Sequence, residues 1–193
     1  MKGKAVILLK SHGKTVALIG ALVVISGPAF AATSQPSFDA FVRICADTHV
    51  DYASVAKLAD AGGWKPLDVK ADTMDGVAVS DRVSRQNTAG KSDLTLFAWQ
   101  GKSKSGAHVS ACTVRVSHPD FAGLQAAAQA WTGFAPQTAG QKRVSFRFTD
   151  TGDVHNPVTP QDTNAAAAGA GVEIMTVWID PDGGVLDLLK IKK

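Results

Sequence analysis

Apolar residues change period several times along this chain, and each change marks an element. Phe38, Phe41, Val42 and Cys45 recur at helical spacing behind Ser37, a residue type that caps helix N-termini. Asp51 opens a second helical pattern with Tyr52, Val55, Ala56 and Ala59 on one face, and Gly62-Gly63 ends it. Residues 65–92 carry a weaker signal. Val77, Val79 and Val83 suggest a strand, between turns at Met74–Gly76 and Asn87–Gly90. Leu94, Leu96 and Ala98 alternate with Thr95, Phe97 and Trp99, which predicts a strand buried on both faces. A polar loop at 101–106 leads to a second alternating run, Val109 to Val116, completing a hairpin. Pro119 begins a third helix with Phe121, Leu124, Ala128 and Trp131 as its stripe. Val144, Phe146 and Phe148 form a strand with one wet face. Residues 150–171 read as a long connection, with a short alanine-rich helix between Thr159-Pro160 and Gly169. A last hairpin joins Val172–Ile179 to Val185–Ile191 across a Pro181–Gly184 turn.

Strands that come in hairpins rather than alternating with helices predict an α+β fold. The expectation is an antiparallel sheet of about five to six strands, with two N-terminal helices and one central helix packed on it. This domain would span residues 32–193.

The first 31 residues follow a different pattern. Lys2, Lys4, Lys10 and Lys14 precede an apolar run from Val16 to Ile25, then Ser26-Gly27-Pro28 and the small-residue site Ala29-Phe30-Ala31. That order is the mark of a cleaved secretory signal, with Ala29 and Ala31 flanking the cut. The apolar run is far short of the about 20 residues a spanning helix needs, so no stable membrane anchor is expected after cleavage. The expected destination is the periplasm or the exterior.

Export changes the charge. The whole chain carries 20 basic and 17 acidic side chains, a net +3. Removing the four signal lysines leaves 16 against 17, a net −1. The precursor's basic balance hints at polyanions; the mature domain gives nucleic acid no long-range attraction. An apolar content of 45% excludes a disordered chain.

Two cysteines are too few for a structural zinc cluster. In an oxidising compartment, Cys45 and Cys112 are expected to form one disulfide. A reactive thiol would need a nearby base. His108, four residues before Cys112, would stand about 13 Å away along a strand.

Several short motifs invite chemistry. Asp47-x-His49-x-Asp51 offers carboxylate and imidazole donors suited to zinc or a harder divalent ion. Yet helix capping explains Asp51 and Asp47 equally well. These three residues are the weak binding candidates. His108, His118 and His155 add no interpretable spacing. Asp150-Thr151-Gly152 copies an aspartic-protease triplet, but it occurs once and reads as a polar turn. Ser54-Val55-Ala56-Lys57, Ser80-Asp81 and Lys104-Ser105-Gly106 imitate the three elements of penicillin-binding enzymes at spacings too short for that fold. Asp180-x-Asp182 lacks the closing glutamate of a calcium loop, because Glu173 is the sole Glu and lies upstream. The four tryptophans sit within or beside apolar stripes, which favours core packing.

Phe41-x-x-x-Cys45-x-x-Thr48, the stretch from Ala56 to Gly63-Trp64, Cys112-x-Val114 and the helix ending near Trp131 together resemble a family of small exported proteins of unknown function from alphaproteobacteria. The resemblance spans about residues 38–135. It implies export and an α+β fold, and it brings no catalytic residue.

The sequence therefore points to a non-enzymatic binding or accessory domain for a protein or envelope component, with no cofactor, metal or catalytic residue assigned. The alternative is a small periplasmic hydrolase, metal-dependent or not, built on Asp47, His49 and Asp51.

Overall fold

The computed structural model describes residues 35–68, 73–74, 76–152 and 154–193. The expected signal, including Ala29 and Ala31, lies outside the described residues, as does Asp75 of the expected turn at 74–76.

Helix α1 spans Pro36–Phe41 and runs directly into a π-helical turn, Val42–Ala46. Helix α2 (Tyr52–Ala61) follows, then α3 (Phe121–Thr132) and the short α4 (Thr163–Ala168). The strands are β1 (Lys65–Pro66), β2 (Thr73–Met74), β3 (Val77–Ala89), β4 (Ser92–Lys102) and β5 (His108–Val116). After α3 come β6 (Thr138–Ala139), β7 (Arg143–Thr151), β8 (Val154–Pro157), β9 (Val172–Asp180) and β10 (Gly183–Lys192). Among the described residues they form one antiparallel sheet of ten strands in the order β1-β3-β4-β5-β10-β9-β7-β6, with β2 on β3 and β8 on β7. The α+β class and the antiparallel sheet are as the hairpin pattern predicts. The strand count is not, since five to six were expected.

The extra strands arise where local propensity is poor and a partner supplies what it lacks. β3 runs for 13 residues, straight through the expected turn at Asn87, because β4 pairs with it as far as Ala89↔Ser92. A register shift between Val79 and Asp81 interrupts that ladder. Gly101 sits opposite, and a Cβ there would collide with the backbone carbonyl of Ala78. Residues 150–151 and 154–157 are likewise strand, where a connection was expected. Gly152 takes φ +64°, and the chain turns back so that Asp150 faces His155 across the β7–β8 pair.

Helix ends follow their sequence signals in part. The Asp51 side chain accepts from the Ser54 amide at 2.9 Å, and α2 stops at Gly62. Helix α3 begins at Phe121 and not at Pro119, and Asp120 caps it by accepting from the Gly123 amide. Gly133 closes that helix in the left-handed conformation. Ser37 is not a cap, because α1 already begins at Pro36 and Ser37 is buried within it.

One large apolar cluster joins α1, the π-helical turn, α2 and α3 to the sheet. Phe38, Phe41, Ile44, Val55, Ala59, Leu124 and Ala128 meet Leu96, Val114, Leu186, Val177 and Val144. Across five strands one rung of this cluster reads Ala98, Cys112, Leu188, Met175, Phe146, all buried. A disulfide joins Cys45 to Cys112 with Cα atoms 5.5 Å apart. It ties the π-helical turn to the β5 position of that rung. Trp64 and Trp99 are core residues, as their stripes suggest. Arg115 donates to both oxygens of Asp180 at 2.8 Å, so the acidic turn after β9 is held by a guanidinium.

Candidate functional site

Two residues further along the same strands, the next rung reads Gln100, Ser110, Lys190, Glu173, Phe148. Alternation places Glu173 on the same side of β9 as Met175 and Val177. Glu173 is only 3% exposed. Lys190, its direct neighbour on β10, donates to Glu173 Oε1 at 3.0 Å. Asp150, two residues past Phe148 on β7, extends the polar patch.

His49 reaches this patch from the other side. The π-helical turn ends with the Asp47 amide donating to the Val42 carbonyl, and a tight turn follows. Within it the His49 amide donates to Ala46 O, and the Val50 amide to Cys45 O. The Thr48 hydroxyl donates to the carbonyls of Ile44 and Cys45. His49 and Val50 have φ of 49° and 57°, the sole positive-φ non-glycine residues among those described. A β-branched residue is unfavourable there, at a cost of about 1–3 kcal/mol. Val50 is 2% exposed, and burial of such a side chain returns about 1.5–3 kcal/mol. The disulfide at Cys45, four residues before His49, fixes the turn against the sheet.

The geometry centres on Asp150. Its Oδ2 lies 3.2 Å from His49 Nδ1, and its Oδ1 lies 2.7 Å from His155 Nδ1. His49 Nδ1 also stands 3.9 Å from Glu173 Oε1. The His155 ring packs against Trp131 at 4.0 Å between centroids and meets Phe148 edge-on at 4.8 Å. His49 remains open to solvent, with 56% of its side chain exposed. Together Ala46, Asp47, His49, Trp131, Asp150, Gly152 and His155 line a cleft of about 290 Å³. Burial pushes the Glu173 carboxyl above the usual glutamate range, and the nearby Asp150 charge adds to it. Lys190 and, last, His49 oppose that shift.

The three sequence candidates separate. His49 belongs to the cluster, and Asp47 lines the cleft beside it. Asp51 is an N-cap, held below the usual aspartate range chiefly by its bond to Ser54. Asp47, His49 and Asp51 are therefore not one ligand set. His155 enters the site, while His108 and His118 do not line this cleft. Asp150, read as part of a polar turn, is the pivot instead. Glu173 and Lys190 escape motif reasoning altogether. Their one local signal is parity: each is a charged residue at an inward position of an apolar strand.

As a chemical unit the cluster holds two carboxylates, two imidazoles and one ammonium. His49, Asp150 and Glu173 offer three donor atoms within 4.8 Å of one another. No family model, no curated protein and no solved structure matches this chain.

Proposed function

We propose that this protein is a non-enzymatic binding or accessory domain of the periplasm or cell exterior, and that its binding site is the His49–Asp150–His155 cleft. One observation carries the reading. Polar groups from the tight turn after the π-helical segment, β7 and β8 converge on one aromatic-walled cleft whose described lining contains no hydroxyl or thiol. Such a cleft can orient a ligand through hydrogen bonds to its imidazoles and carboxylates and contact with the Trp131 ring. The Cys45–Cys112 disulfide fits an oxidising compartment. No described helix is long and apolar enough to cross a membrane. The resemblance to small exported alphaproteobacterial proteins of unknown function agrees with this placement.

The test is native mass spectrometry of the chain purified gently from its own envelope fraction. The expected result is a non-covalent adduct that disappears in Asp150→Asn. A bare chain in every preparation overturns the reading.

A small hydrolase is the second reading, favoured by the His49–Asp150 pair. A carboxylate at Nδ1 is how an imidazole is oriented for proton transfer at its other nitrogen. Turnover of ester or phosphoester substrates that vanishes in His49→Ala would establish it.

A further inference from the structure

We infer that the cleft binds a divalent cation of the zinc class through His49 Nδ1, Asp150 Oδ2 and Glu173 Oε1, with the remaining coordination open toward solvent. This inference rests on the binding reading above and names its ligand.

Distances come first. An ion sits about 2.0–2.2 Å from nitrogen and carboxylate ligands, which puts tetrahedral neighbours about 3.3–3.5 Å apart. His49 Nδ1 and Asp150 Oδ2 are 3.2 Å apart, and His49 Nδ1 and Glu173 Oε1 are 3.9 Å apart. All three atoms lie within 4.8 Å of one another, so the two carboxylates need to draw together by at most about 1.3 Å to close around an ion. The donors span β7, β9 and the disulfide-tied turn, so the site is assembled by the fold and not by one loop.

Charge comes second. Asp150 and Glu173 place two carboxylates in a largely buried setting, and among the described residues Lys190 is the one ammonium bonded to them. With Lys190 bonded to Glu173 the pair of carboxylates keeps one negative charge; once that amine leaves, two remain, which a divalent ion matches. Lys190 is about one-third exposed, so its amine can swing to solvent as the ion enters.

Support comes third. Asp150 uses its other oxygen to accept from His155 Nδ1, and the His155 ring is clamped by Trp131 and Phe148. A ligand carboxylate held by an outer hydrogen-bond partner is how metal sites fix ligand orientation. Donor chemistry then selects the ion. One imidazole with two carboxylates suits zinc and its first-row neighbours, whereas calcium and magnesium take all-oxygen sets. The cleft of about 290 Å³ beside these donors is ample for an ion with its waters.

The experiment is calorimetric titration of Zn²⁺ into the purified, chelator-treated chain. One site per chain is expected. His49→Ala, Asp150→Asn and Glu173→Gln should each weaken binding by at least about tenfold. His155→Phe keeps all three ligands and should weaken binding about 10–100-fold with unchanged stoichiometry, the mark of a positioning residue. Lys190→Met keeps the ligands, removes the competing cation and should tighten binding. Asp51→Asn should bind as the parent does, because Asp51 is a cap. The Lys190→Met gain guards against variants that lose binding by misfolding. The inference is overturned if no one-to-one binding appears, or if the three ligand variants bind like the parent. An envelope-purified chain carrying a metal-free adduct, lost in Asp150→Asn, would sink the zinc assignment and leave the binding reading standing. A bare chain together with no zinc binding sinks both.

Discussion

Two adjacent rungs of one sheet face the same way and behave oppositely. Ala98, Cys112, Leu188, Met175 and Phe146 are sealed in the core. One rung on, Gln100, Ser110, Lys190, Glu173 and Phe148 replace them with polar and charged side chains except at the β7 position. Strand alternation decides which way a side chain points and is silent on whether its surroundings are apolar. The difference teaches that an inward charge in a strand is the residue to question first. Burying a carboxylate costs several kcal/mol unless it is paired, so its partners locate the site.

The comparison breaks most severely if the apolar rung can be emptied without consequence. Phe146→Ala should cost about 3–5 kcal/mol in denaturant unfolding. Cys45→Ser/Cys112→Ser should cost about 4 kcal/mol, since the bond closes a loop with a sequence separation of 67. It should also broaden the His49 resonances, because the turn loses its covalent tie to the sheet.

The polar rung should respond in a different way. Lys190→Met alone leaves Glu173 buried beside Asp150 and should cost about 1–3 kcal/mol, discounted because Lys190 is partly exposed. The double variant Glu173→Leu/Lys190→Met should be neutral or more stable than the parent by about 1–4 kcal/mol. Urea melts of the two proteins settle the matter. If the double variant falls with the single one, the pair is structural and the two rungs are alike.

A pH series sharpens the same contrast. Glu173 has a raised carboxyl in the folded state, so the folded protein holds that proton more tightly than the unfolded one. Its contribution to stability is fully present below the ordinary glutamate range and is lost as pH rises through the raised value. In chelator-treated protein, Glu173→Gln should therefore remove a fall in stability on the alkaline side of that range. Chemical melts at intervals across the window measure it. A parallel profile for parent and variant would contradict the assignment.

The smallest effect expected is at the cap. Asp51→Ala should cost about 1 kcal/mol, from the bond to the Ser54 amide, while Asp47→Ala should stay within about 0.5 kcal/mol. Equal losses at both positions would revive the idea that they act together.

Much of the fold was legible because its signals are local. The Gly62 stop, the Asp51 cap and the β4–β5 and β9–β10 hairpins each rest on neighbours within a dozen residues. The Cys45–Cys112 bond followed from a count of two cysteines and the expectation of export. The site was less legible because its distances in sequence are long: His49 and Asp150 are 101 residues apart. Asp150 sits in a triplet whose local meaning is a turn, and only pairing with β8 turns it toward His155. Val154–Pro157 has no strand pattern of its own and is a strand because β7 is there. Glu173 came closest to being found, as an acid at a position whose neighbours at 175 and 177 are Met and Val.

The π-helical turn at Val42–Ala46 is, in effect, one residue more than an α-helix would use for the same stretch. Such a turn behaves as an insertion that folding has kept. Deleting one residue from it would restore regular winding and rotate everything downstream by about 100°, a single helical step. Cys45 and His49 cannot both keep their bearings through that rotation. A lineage that lost the extra residue would have to give up the covalent staple or the imidazole. The presence or absence of one residue between Phe41 and Asp47 is thus a length marker that separates chains able to build this site from chains that share only its sheet.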